Sequence, residues 1–201
     1  MIFIISGPSG VGKTPIIYSV IDDFSVVRRI QSYTSRDVRR KEVEGTYIYL
    51  TKEEFEKKIN EGFFLEYNKV HKDGHYYGTA LESYKSIIDE GGVAIKDIDV
   101  DSYKRLKESG EDVVGIYLTV KNKYILMDRL RERGESEMTI KMRLFDRRRY
   151  EDEQMGHYDY VVYTDEYDKA EKQVKDIVKK ELDKRKIKYT RSRVKKHKFT
   201  F

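Results

Sequence analysis

The chain opens on an unbroken apolar run, Met1–Ser6 (MIFIIS). A run without polar alternation predicts a strand buried on both faces of a parallel sheet. It leads into a Gly-rich turn and then a helical pattern over Pro15–Ile21. Val93–Ile98 (VAIKDI), Val113–Leu118 (VVGIYL) and Tyr160–Tyr163 predict further buried strands. Between these runs, Leu81–Asp89, Tyr103–Lys107 and Lys123–Arg131 carry helical spacing. Val174, Ile177, Val178 and Leu182 share one face of a last helix. Residues 31–80 break the rhythm. They are rich in Tyr, Thr and Gly, with short alternating runs such as Thr46–Leu50 and one short helix around Glu53–Ile59. The pattern predicts an α/β parent with a small β-rich insertion. Residues 122–153 form a third region, helical in pattern and dense in arginine.

A length of 201 residues suits one domain with insertions. Charged residues make up 38%, above the usual quarter, so the surface is heavily charged around that core. The absence of cysteine excludes a disulfide framework and thiolate chemistry. The opening apolar run is too short for a signal peptide or a membrane span, so no membrane partner is expected and the expected compartment is the cytoplasm. His71, His75, His157 and His197 share no metal-ligand spacing.

The formal charge of +5 is unevenly placed. Residues 184–201 hold nine Lys or Arg and no Asp or Glu, so the remaining body carries −4. A run of like charge is expected to be a solvated tail, dispensable for chemistry, with weak nucleic-acid contact as its sharper reading.

Gly7-Pro8-Ser9-Gly10-Val11-Gly12-Lys13-Thr14 matches G-x-x-x-x-G-K-[ST], between a predicted strand and a predicted helix. The glycines let successive backbone N–H groups turn toward phosphate oxygens, and the helix N-terminus adds its positive dipole end. Lys13 is placed to reach the β- and γ-phosphates and the Thr14 hydroxyl to ligate Mg²⁺. Pro15, in the first helical turn, has no N–H to offer.

The second constellation is longer. Ser32-Tyr33-Thr34-Ser35-Arg36-Asp37-Val38-Arg39-Arg40-Lys41-Glu42 precedes Gly45-Thr46-Tyr47, Phe64-Leu65-Glu66-Tyr67 and His75-Tyr76-Tyr77-Gly78-Thr79. With Asp97-Ile98-Asp99, the Arg129–Arg143 segment and Asp168-Lys169-Ala170, this order closely resembles the guanylate kinase family from Ile4 to about Ile177. The resemblance implies ATP as phosphoryl donor with Mg²⁺, and GMP or dGMP as acceptor. It implies that Arg36, Arg39, Tyr47 and Tyr77 clamp the acceptor phosphate, with Glu42 positioning the clamp. Glu66 would accept from guanine N1–H and the 2-amino group, and Ser32 and Thr79 would donate to O6. Asp97 and Asp99 would divide the hydrated metal and the acceptor between them, with Asp97 beside Thr14 at the metal. Arg129, Arg133 and Arg143 would be lid arginines that stabilise the transferring phosphoryl group together with Lys13 and Arg36.

The expected organisation is a P-loop three-layer α/β domain over residues 1–183, with a parallel core sheet. Residues 1–30, 81–121 and 154–183 would form the core, 31–80 the acceptor-binding insertion, 122–153 the helical lid and 184–201 the tail. Two other readings stay open from sequence: a catalytically weak binding module of the same fold, and a related kinase with a different acceptor.

Overall fold

A computed structural model of the chain describes residues 1–38, 45–69, 74–145, 153 and 155–191. Its core is a five-stranded sheet of β1 (Ile2–Ser6), β2 (Val27–Arg29), β7 (Val93–Asp97), β8 (Val113–Thr119) and β9 (Tyr160–Tyr163), in the order β2-β7-β1-β8-β9. Every neighbouring pair in it is parallel. Side chains alternate between two apolar layers. Phe3, Ile5, Ile95, Ile116 and Leu118 face one cluster, and Ile2, Ile4, Ala94 and Tyr117 face the other. The first layer is completed by α1 (Lys13–Asp23), α5 (Tyr124–Glu132), α6 (Glu137–Phe145) and α7 (Tyr167–Lys184). The second is completed by α3 (Leu81–Asp89) and α4 (Val100–Glu108). The three-layer α/β fold expected from the apolar runs is therefore the one observed.

The insertion folds as a separate four-stranded sheet of β3 (Ser32–Thr34), β4 (Tyr47–Tyr49), β5 (Phe64–Lys69) and β6 (Tyr76–Ala80), ordered β4-β3-β6-β5. The helix α2 (Lys52–Asn60) enters on a capping box, with Thr51 and Glu54 satisfying each other's backbone N–H. Its one buried side chain, Phe55, stacks on Phe64 and Tyr76 and pins the helix to this sheet.

Two expectations need correction. The strand β2 was not foreseen, because three residues with two arginines carry no apolar signature; pairing with β7 makes it a strand. The basic tail was expected to stay solvated from residue 184, yet its first part packs on the body. Arg185 pairs with Asp112 at 2.7 Å and also with Glu181. Tyr189 meets Phe24 edge-on with ring centroids 5.3 Å apart, and Arg191 pairs with Asp23 at 2.7 Å. The tail cations found their anions on the mildly acidic body. Residues 192–201 lie outside the described ones.

The Arg185 hydrogen bond holds the Asp112 carboxyl below its ordinary value. A depressed carboxylate contributes stability above its unfolded value of about 3.9 and loses it as pH falls through the folded value. Asp112 is half exposed, so solvent screens the pair. Arg185→Met should lower the melting temperature by about 2–4 °C at pH 7, the effect of about 1 kcal/mol in a domain of this size. The difference from wild type should shrink below about pH 4. An equal melting temperature at pH 7 would show the docked tail to be energetically idle.

Candidate active site

The strand β1 ends against the Gly-rich loop. Gly7, Gly10 and Gly12 have φ of +141°, +84° and +99°, values that side chains rarely adopt. A Cβ on Gly7 would sit 2.1 Å from the Leu118 carbonyl oxygen, so the turn is closed to any larger residue. Gly12 caps α1 in a left-handed conformation and brings no side chain to the helix's first amides. A helix start of this kind is an anion site. Lys13 donates from Nζ to the Gly7 carbonyl at 2.7 Å and the Pro8 carbonyl at 3.1 Å, folding back across the loop. Thr14 is half-buried beside it, and Pro15 is the third residue of α1 with its ring buried. The helix starts two residues earlier than its apolar stripe indicated, so Pro15 lies inside the first turn.

The second half-site faces the insertion sheet. Arg36 is buried with its guanidinium 4.7 Å from the Tyr47 ring centroid and 5.7 Å from that of Tyr49, and Tyr47 meets Tyr77 at 6.2 Å. Three members of the expected phosphate clamp are thus together. Arg39 and Glu42 lie outside the described residues. Ser32 is buried in β3, where its amide donates to the Thr46 carbonyl at 3.1 Å.

Glu66 is directly opposite Thr79 across β5 and β6. The register shifts between Phe64 and Glu66, and an irregularity of that kind re-aims a side chain. Glu66 is only 7% exposed, and its Oε1 accepts the Thr79 hydroxyl. Thr79 was expected to donate to a base; here its one proton goes to Glu66 instead. The Thr79 oxygen in turn accepts from Lys96, a buried residue of β7 that sequence reading did not single out.

The core strand ends join the halves. Ile5 of β1 pairs in register with Asp97 of β7, and the Ser6 hydroxyl donates to the Ile98 carbonyl at 2.8 Å. Asp97 Oδ1 accepts from Arg29 Nη2 at 2.8 Å. Arg29 was also missed; it is 8% exposed, lies over the Tyr18 ring, and its Nε and Nη1 have no partner among the described residues. Asp99 differs from expectation in what it holds. Its Oδ1 accepts the Ser102 amide at 2.9 Å, capping α4, and its Oδ2 accepts from Asn68 at 2.8 Å. It ties α4 to β5.

Of the lid arginines, Arg129 reaches the P-loop. It donates to the carbonyls of Gly10 and Val11 at 3.5 and 3.4 Å and to the Thr164 carbonyl at 2.8 Å. Burial holds its pKa below the ordinary value, which leaves it cationic. Arg133 is exposed at the C-terminal end of α5. Arg143 belongs to α6, but its side chain is outside what is described. Leu126 and Leu130 of α5 and Ile140 and Leu144 of α6 join the core cluster, so the lid helices are rooted in it.

No group of three or more His, Cys, Asp or Glu with metal-site geometry occurs among the described residues. The donors expected from sequence, the Thr14 hydroxyl and the Asp97 carboxylate, are both oxygen. That set fits Mg²⁺, which keeps much of its water and is usually held by one or two protein groups plus substrate phosphates.

A P-loop at the end of the central strand, in a chain whose insertion sheet gathers Arg36, Tyr47 and Tyr77 and buries Glu66, is the arrangement of a P-loop nucleoside monophosphate kinase. The guanylate kinase family model matches residues 1–181. The chain is 36% identical to the guanylate kinase of Thermotoga maritima over 182 residues, 90% of this chain and 86% of the relative. It is 34% identical to that of Rickettsia felis over 189 residues, 92% and 95% respectively. The crystal structure of guanylate kinase from Anaplasma phagocytophilum superposes with a TM-score of 0.70 at 22% identity, covering 90% of this chain and 85% of that one. The chain belongs to the guanylate kinase family.

The contact that closes the first loop glycine to substitution yields a sharp expectation. In Gly7→Ala, the methyl must push off the Leu118 carbonyl while the backbone holds a disfavoured φ, a strain of about 1–3 kcal/mol. ATP affinity should fall at least tenfold while GMP binding changes little. Unchanged ATP affinity would show that the loop can turn without that glycine.

Proposed function

We propose that this protein transfers the γ-phosphoryl group of ATP to GMP or dGMP, giving ADP and the guanosine diphosphate. The observation that carries this is the pairing of β1, which ends in the P-loop, with β7, whose Lys96 reaches the buried Glu66 and Thr79 of the insertion sheet. Glu66 offers acceptors where guanine offers N1–H and the 2-amino group. Adenine has an acceptor at N1 and no amino group at C2, so the same carboxylate would meet lone pairs. Arg36 suits an acceptor phosphate because its planar fork can donate two parallel hydrogen bonds.

Donor binding exchanges one set of partners for another. Lys13 leaves the Gly7 and Pro8 carbonyls for the terminal phosphates, and the amides of the first turn of α1 take the remaining oxygens. Thr14 and Asp97 would hold a hydrated Mg²⁺, which supplies charge neutralisation on the triphosphate when bound. Arg129 of α5, beside the P-loop, and Arg133, which caps that helix, would counter the charge of the transferring group. No covalent intermediate on the protein is needed: the residues align donor and acceptor in line, and closure excludes water.

The test pairs two variants in an assay of GMP-dependent ADP release. Lys13→Ala should abolish turnover with GMP affinity largely intact. Glu66→Gln should keep ATP affinity but lose about 1–3 kcal/mol of guanine recognition, the cost of removing a charged acceptor. Turnover at the wild-type rate in Lys13→Ala would sink the mechanism, and unchanged GMP affinity in Glu66→Gln would sink the assignment of the base reader.

A further inference from the structure

The strand β7 is buried on both faces, yet its fourth residue is a lysine, 2% exposed. A buried ammonium must find partners or lose its charge. Lys96 Nζ donates to the Gly78 carbonyl at 3.3 Å and to the Thr79 hydroxyl, and it stands 3.7 Å from Glu66 Oε1. An ammonium has no lone pair, so Thr79 can only accept from it. The single proton of Thr79 is then left for Glu66 Oε1. The direction of each bond in the chain Lys96 to Thr79 to Glu66 is thereby determined.

Two consequences follow. Thr79 has no second proton with which to read a base. Glu66 Oε1 is engaged from the protein side by a hydroxyl and stands near a buried cation, which fixes the orientation of its head group. Burial pushes Lys96 below its ordinary value, while Glu66 and Asp97 counter that shift and Arg29 of β2 adds to it.

We infer that Lys96 is the positioning residue that sets guanine specificity: acting through Thr79, it holds Glu66 in one orientation to accept from N1–H and the 2-amino group. This rests on the reading of Glu66 as the base reader. It reassigns Thr79 from a donor on guanine O6 to a bridge between Lys96 and Glu66. The two roles differ for inosine monophosphate, which keeps O6 and N1–H but lacks the 2-amino group. Loosening Glu66 costs GMP two hydrogen bonds and inosine monophosphate one. Removing an O6 donor costs both alike.

The experiment measures kcat and KM for GMP and inosine monophosphate at saturating ATP, in wild type, Lys96→Met, Thr79→Val and Glu66→Gln. The wild type should prefer GMP. In both Lys96→Met and Thr79→Val, KM for GMP should rise about tenfold, with kcat changed far less, and the preference for GMP over inosine monophosphate should fall by several-fold. KM for ATP should not move. The double variant should be little worse than Lys96→Met alone, because both substitutions cut one chain. Thr79→Val keeps side-chain shape and carries the test by itself if Lys96→Met does not fold. An equal rise for both nucleotides in Thr79→Val would return Thr79 to O6 and overturn the proposal, as would wild-type KM for GMP in Lys96→Met. An unchanged preference in Glu66→Gln would overturn it at its base, while wild-type turnover of GMP would leave the kinase reading standing.

Discussion

The parallel pairing of β1 with β7 is the constraint on which the molecule turns. β1 must end in a loop that can cradle phosphate, and β7 must end where the insertion sheet begins to matter. Pairing them in register, Ile5 on Asp97, places the two ends side by side. The Ser6 hydroxyl, donating to the Ile98 carbonyl, continues the contact past the last ladder pair. Every other element can be described by which side of that junction it serves. α1 and α5 serve the phosphate loop, and the insertion reaches the junction through β6 and Lys96. Because a parallel pair needs a long crossover, residues 7–92 lie between the two strands, which gives the fold room for the insertion.

The polar chemistry is concentrated where a core strand would ordinarily be apolar. Lys96 and Asp97 are consecutive in β7, so they project to opposite faces of the sheet. Lys96 turns to Glu66 and Thr79, and Asp97 to Arg29. Glu66 and Asp97 are thus each matched by a buried cation supplied from the core sheet. Buried charges are tolerated only when paired, and removing one member leaves the other exposed to the full cost of burial. The arrangement explains why the site is more deeply set than a surface cleft: Arg36, Glu66, Thr79 and Lys96 are all under 10% exposed.

Much of this was legible in the chain. The apolar runs of β1, β7 and β8 are local signals and survived intact, as did the P-loop, whose residues are contiguous. Lys96 was not legible. Within VAIKDI a single lysine is a blemish on a strand pattern until β5, bulged before Glu66, and β6, carrying Thr79, are folded against it. Its meaning is non-local. Asp99 carries a structural part that its short acidic motif does not announce: its oxygens hold an α4 amide and Asn68. The tail misled because charge counting ignored partners. Asp112, Glu181 and Asp23 are scattered in sequence and meet the tail cations only in the folded chain.

We propose that one site holds an adenosine triphosphate and a guanosine monophosphate end to end across the β1–β7 junction. Binding of a bisubstrate compound, adenosine and guanosine joined through five phosphates, tests this directly by titration calorimetry. Engaging both half-sites at once should make it bind about 10²–10⁴-fold more tightly than ATP or GMP alone. The diadenosine counterpart should gain far less, because Glu66 would meet lone pairs on its second base. A guanosine-containing compound that binds no more tightly than ATP, or a diadenosine compound that matches it, would contradict the account.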